Sequence, residues 1–229
     1  MTLTLILVNW GVFAYIFYFS GAPVHLTLRY GFIPREVFSH SFNLPAHWQS
    51  YLTIITANFL HGGLFHIAGN TIFLWVFGSI TEDRMGPGKY LGFYLITGII
   101  SMLVQGYAFR DSTLAVVGAS GAVAGVMGAY YILFPKARIS TSFILFIREI
   151  PAIYYLFLWF LLNLVRGFFH LEGMMTDPVA WWAHIGGFLA GAVLVNLFAT
   201  GGNEKPAGGK PKGLKKSTGK TKKAVRQGS

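Results

Sequence analysis

Apolar residues run through this chain in long blocks, separated by shorter stretches that hold nearly all of its charge. Six blocks stand out, at residues 3–20, 64–80, 91–109, 116–134, 152–170 and 179–199. A helix on the surface of a water-soluble domain alternates an apolar stripe with a polar face, and these blocks show no such alternation. Each is about as long as the 17–25 residues that cross a hydrocarbon core as a helix. Lipid offers the backbone no hydrogen-bond partner, so blocks of this kind must be helical. The pattern therefore predicts an all-α membrane protein over residues 1–200, a six-helix bundle with a long external loop after the first helix. The first block starts at Met1 without a basic leader, and no small-residue cleavage site clearly follows it, so it is expected to be a retained helix.

Composition agrees with this reading. Of the 229 residues, 54% are hydrophobic and 11% charged, where a soluble domain carries about 25% charge. Only the fifth block contains a full charge, Arg166, close enough to one end to reach the interface. Nine of the 18 Lys and Arg residues fall in residues 203–229. This Gly-, Lys- and Pro-rich stretch, 201–229, cannot bury a core and is expected to be a disordered basic tail. It suits anionic lipid headgroups; without interleaved aromatics or a folded scaffold it does not suggest a nucleic-acid partner. Placing the N-terminus in the cytoplasm puts fourteen basic residues inside and four outside (Arg29, Arg35, Arg110 and Arg166), as the positive-inside rule requires. Both termini are then cytoplasmic. The chain has no cysteine, which excludes disulfides, a thiol nucleophile and thiolate metal sites.

Against this background four polar residues need a reason. His66 and Asn70 open the second block, spaced to share one helix face. Ser120 stands in Gly118-Ala119-Ser120-Gly121 at the start of the fourth block, and His184 near the start of the sixth. Blocks two, four and six all run from outside to inside, so all four residues fall in the outer half of the membrane at similar depth. Gly187 and Gly191 share a face with His184, and span four offers Gly121, Gly125 and Gly128. Small residues at this spacing let two helices approach closely in a bilayer, which would bring His184 to Ser120. A serine beside a base is a usable nucleophile. His66, Asn70 and the Ser120 amide can donate to an oxyanion. No Asp or Glu lies at this depth, so the residues point to a dyad. A plainer reading stays open at each position: Ser120 as a packing residue, and His66 and Asn70 as caps or interhelical bridges.

Four stretches, in order and on the appropriate spans, resemble the rhomboid intramembrane serine proteases of the compact six-helix prokaryotic type. They are Phe59-Leu60-His61-Gly62-Gly63 with His66 and Asn70, then Glu82-Asp83-Arg84-Met85-Gly86. Gly118-Ala119-Ser120-Gly121 follows, and last Ala183-His184-Ile185-Gly186-Gly187 with Gly191. The resemblance runs from about Pro34 to about Ala199. It implies a serine endopeptidase with Ser120 as nucleophile and His184 as general base. It implies an oxyanion hole of His66, Asn70 and the Ser120 amide, and substrates that are single-span membrane proteins. It also implies that residues 171–178 cap the site and that span five moves to admit substrate. With the charge pattern, it suggests a multi-pass protein of a bacterial inner membrane with its site toward the outer face. No cofactor or metal is expected. One position departs from some relatives: Ala124 replaces an aromatic that stacks on the histidine, so Trp181 or Trp182 is expected to orient His184. His61 is expected to organise its loop.

Rival classes predict other patterns. A transporter would carry polar residues through the whole thickness or broken helices in paired repeats. A zinc protease would carry His-Glu-x-x-His. Inactive relatives lack the Ser or the His, and both are present.

Overall fold

The first apolar block folds as α1 (Thr2–Ala14), prolonged by a π-helical turn at Tyr15–Phe19. This computed structural model describes residues 1–38, 44–143, 146–175 and 178–199. The basic tail and two residues of the expected cap, 176 and 177, lie outside the described residues. The long segment after the first rod holds three short helices, α2 (Pro23–Tyr30), α3 (Pro34–Phe38) and α4 (Leu44–Thr56), closed by a 3-10 turn at Ala57–Phe59. The second block gives α5 (Leu64–Phe73) and α6 (Ser79–Met85), joined by a π-helical turn into one rod. Then come α7 (Pro87–Ala108), α8 (Ser120–Leu133), α9 (Ala152–Leu171) and α10 (Trp181–Phe198).

Five of these rods are long and apolar enough to cross a membrane: Thr2–Phe19, Leu64–Met85, Pro87–Ala108, Ala152–Leu171 and Trp181–Phe198. The sixth, α8, has only 14 residues, about 21 Å at 1.5 Å per residue. It is the innermost helix, with every residue from Gly121 to Tyr130 buried. The long rods instead expose large apolar side chains, among them Leu7, Trp75, Leu158, Val193 and Leu197, as lipid-facing surfaces do.

The fourth block is not helical over its whole length. Residues 116–119 precede the helix because their backbone is engaged elsewhere. Val116 pairs with Phe32 in an antiparallel bridge (N–H to O distances of 2.8 and 3.0 Å), and the Gly118 amide donates to the Ala57 carbonyl at 2.9 Å. Gly118 has φ +134°, a region that side-chain-bearing residues avoid. The helix therefore starts at Ser120.

The described part of the segment between α8 and α9 is extended. It forms a hairpin of β1 (Arg138–Phe143) and β2 (Phe146–Pro151), antiparallel from Arg138 opposite Pro151 to Phe143 opposite Phe146. Its β-branched Ile139 and Ile150 favour the pleated conformation. Arg138 and Glu149 form an exposed ion pair at 3.2 Å.

The centre of the bundle is held by backbone-level contact. A Cβ added at Gly187 would run into the Gly121 carbonyl, one at Gly191 into the Gly125 carbonyl, and one at Gly128 into the Phe188 carbonyl. The opposite side of α8 meets α7, where added methyls at Gly121 and Gly125 would strike Ser101 and Thr97. Without a hydrophobic drive between helices in lipid, close approach of this kind supplies the attraction. Around it pack Leu74, Phe77, Tyr90, Phe93, Tyr94, Met127 and Leu156.

Candidate active site

The N-terminal ends of α5, α8 and α10 meet. Ser120 is the first residue of α8 and is partly exposed. His66, on the first turn of α5, lays its ring against Gly118. A Cβ built there would stand 2.7 Å from both Cε1 and Nε2 of His66, and 3.5 Å from Ser120 Oγ. The His66 ring and the Ser120 hydroxyl thus flank one glycine, which has no room for a side chain. Asn70, one turn further along α5, is buried, and its Nδ2 has no hydrogen-bond partner among the described residues. Leaving such a donor unmatched costs about 1–3 kcal/mol, so this amide is available to an incoming oxygen.

His184 lies in the first turn of α10, whose start is fixed by the buried Gln105 of α7: the Ala183 amide donates to its Oε1 at 3.2 Å. The Ala183 carbonyl would stand 3.5 Å from a Cβ at Gly121. The residue before His184 and the residue after Ser120 are therefore near neighbours. Among the described residues no hydrogen bond joins Ser120 to His184 directly. Such bonds are often long before substrate binds.

The ring of His184 is bonded to Asn163 on α9, with 2.7 Å between Nδ1 and Oδ1. Two indoles flank it: Trp159, tilted, at 5.8 Å between centroids, and Trp181, edge-on, at 5.9 Å. Trp182 turns away and donates its Nε1–H to the Gly167 carbonyl at 3.1 Å. Of the two tryptophans expected to orient the base, Trp181 touches it and Trp182 does not. Trp159 and Asn163 were missed by sequence reasoning. The signal for Asn163 is the one amide in the fifth block, uncharged and so less conspicuous than Arg166. Arg166, one turn on, lies 5.3 Å over the Trp181 ring, where the ring face attracts its charge.

His61 precedes α5, is almost fully buried, and packs edge-to-face on His66 at 5.2 Å and 71°. Burial pushes its pKa down to about 4, and the neighbouring His66 acts in the same direction. Between that value and the ordinary 6.5 the unfolded chain binds a proton that the folded chain does not, so stability falls as pH falls through this window. Thermal unfolding in detergent at a series of pH values is expected to show this decline. His61→Gln is expected to reduce it.

What these observations define is an integral, multi-pass membrane protein with a serine, two histidines and two amides gathered where helix ends meet. The Rhomboid domain model matches residues 48–200, and the chain belongs to the rhomboid family. Among similar proteins, Rhomboid protein 1, mitochondrial, of Saccharomyces cerevisiae is 32% identical over 107 residues, covering 45% of this chain and 30% of the yeast protein. RHOMBOID-like protein 5 of Arabidopsis thaliana is 32% identical over 141 residues, covering 62% of this chain and 42% of that protein. Rhomboid protease AarA of Providencia stuartii is 29% identical over 210 residues, covering 85% of this chain and 70% of AarA. The chain thus spans less than half the length of the first two relatives.

Proposed function

We propose that this protein is an intramembrane serine endopeptidase that hydrolyses peptide bonds in or near the transmembrane segments of single-span membrane proteins. The observation that carries this reading is the meeting of α5, α8 and α10 at their N-terminal ends, with Ser120 and His66 around Gly118 and, one turn further along α5, a buried Asn70 amide nitrogen that has no partner among the described residues. Family membership supports it, as does the protease named among its relatives.

In this reading Ser120 Oγ attacks the scissile carbonyl carbon while His184 Nε2 takes its proton. The oxyanion that forms accepts hydrogen bonds from Asn70 Nδ2, the His66 ring and the Ser120 amide. The amide lies at a helix N-terminus, where the peptide dipoles favour negative charge. The C–N bond then breaks, His184 gives its proton to the leaving amine, and water attacks the acyl-enzyme with His184 again as base. The indicated topology has six spans, α8 being the fourth, and both termini in the cytoplasm of a bacterial inner membrane. Because α8 is about 9 Å shorter than a hydrocarbon core of ~30 Å, Ser120 at its outer end would lie below the outer membrane face.

The test is cleavage of a synthetic single-span peptide by detergent-solubilised protein, with covalent capture by a fluorophosphonate probe. The adduct is expected on the tryptic peptide containing Ser120, and cleavage is expected to persist in chelator. An adduct on any other residue would overturn the assignment. Asn70→Ala is expected to lower kcat about 10²–10³-fold, the usual effect of removing an oxyanion donor, with little change in KM. Steady-state kinetics on the same peptide would measure both.

A further inference from the structure

Along α9, the buried residues are Ala152, Leu156, Asn163 and Gly167. They make one narrow face, and Asn163 is its only polar member. An apolar side chain at 163 would satisfy that face, and a polar one at this depth in a membrane needs a partner. Asn163 has two. Its Nδ2 donates to the carbonyl of Trp159 at 2.7 Å, and its Oδ1 stands 2.7 Å from Nδ1 of His184.

The first bond sets the meaning of the second. A carbonyl only accepts, so the amide nitrogen must face Trp159, and turning the amide over would set two oxygens against each other. Oδ1 is therefore the atom presented to His184. Because Oδ1 only accepts, Nδ1 must carry the proton. A neutral imidazole has one protonated nitrogen, so Nε2 keeps its lone pair. The Trp159 ring, one turn earlier on α9, also lies beside the imidazole, 5.8 Å between centroids.

We propose that Asn163 is a positioning residue, the third member of the catalytic group, which holds His184 in the tautomer whose Nε2 can act as base. The proposal rests on the reading of His184 as general base. It replaces the bare dyad by a Ser–His–Asn arrangement. A neutral oxygen plays the part that a carboxylate plays elsewhere; an amide serves this role in Cys-His-Asn proteases and fails only where it imposes the wrong tautomer. Here the Trp159 carbonyl prevents that failure. A neutral acceptor also avoids burying an unpaired carboxylate in a face built of Ala, Leu and Gly. One consequence follows for α9: the group that sets the tautomer rides on a helix docked by a narrow face, so any shift of α9 releases the base.

Asn163→Leu separates positioning from packing, because leucine is close in shape and suits the apolar face. The full chain in detergent micelles, with a fluorescein-labelled single-span peptide containing a Gly–Ala pair, is the assay. Expected for Asn163→Leu is a fall in kcat of about 10²-fold, the low end of what general-base catalysis contributes. KM should stay within about twofold and the melting temperature should be unchanged or higher. Asn163→Asp, which restores an acceptor oxygen, is expected to recover about tenfold over Asn163→Leu. ¹⁵N NMR of histidine-labelled protein, with His184→Ala identifying the signal, should show His184 protonated at Nδ1 in the wild type and at Nε2 to a large extent in Asn163→Leu. An Asn163→Leu protein with wild-type kcat overturns the proposal. So does one whose kcat and melting temperature fall together while the His184 tautomer is unchanged. Were Ser120→Ala to cleave like wild type, the protease reading would fail, and the tautomer measurement would still decide the role of Asn163.

Discussion

Ser120→Ala is expected to lower cleavage of a single-span peptide by at least about 10⁴-fold and to abolish fluorophosphonate labelling. His184→Ala is expected to do nearly the same, and the double variant to be scarcely worse than either single one. Groups that act as a unit behave in this non-additive way. Ser120→Ala should not disturb the fold. Ser120 is partly exposed and makes no side-chain hydrogen bond among the described residues, and the tight contact beside it is made by Gly121, not by its hydroxyl. The melting temperature of Ser120→Ala should therefore stay within a degree or two of wild type, since about 1 kcal/mol moves a domain of 150–250 residues by only about 2–4 °C. Loss of cleavage with an intact fold would locate the chemistry at this hydroxyl. Activity that survives Ser120→Ala would sink the reading altogether.

The rods of this bundle were legible because lipid imposes a strong rule. A long apolar block has no alternative to helix, so Pro87–Ala108 and Ala152–Leu171 begin and end within a few residues of where hydropathy puts them. The rule fails where protein takes the place of lipid. Val116 and Gly118 are apolar, yet their backbone bonds to Phe32 and Ala57, and no count of hydropathy contains that partnership. The hairpin from Arg138 to Pro151 escaped for a similar reason, since its strands are short and stabilise only as a pair. In the candidate site, Ser120, His184, His66 and Asn70 were visible as polar residues out of place at one depth. The surroundings of His184 were not. Trp159 and Asn163 lie on a helix whose period predicts only which residues face inward, not which neighbour they meet. A neutral amide also carries no charge to draw notice.

Gly191→Val is expected to cause the largest loss of stability by a single substitution. The Cβ of residue 191 would meet the backbone carbonyl of Gly125, and the nearby atoms belong to the α8 main chain. A flexible side chain could swing aside; a helix backbone cannot, so α10 must move away from α8. Overpacking in a core typically costs about 1–3 kcal/mol, and here a whole helix pair must separate. A drop in melting temperature of about 10 °C or more is expected, measured by thermal unfolding in detergent. Activity should fall further than stability does, because the same contact one turn up, at Gly187 against Gly121, borders Ser120 and His184. Gly191→Ala places the same Cβ and should lose most of the stability; Gly92→Ala, whose added methyl would only touch the Phe198 ring at 3.8 Å, should lose almost none. If Gly191→Val melted like wild type, the close approach of α8 and α10 would be refuted, and with it the geometry that gathers the candidate site.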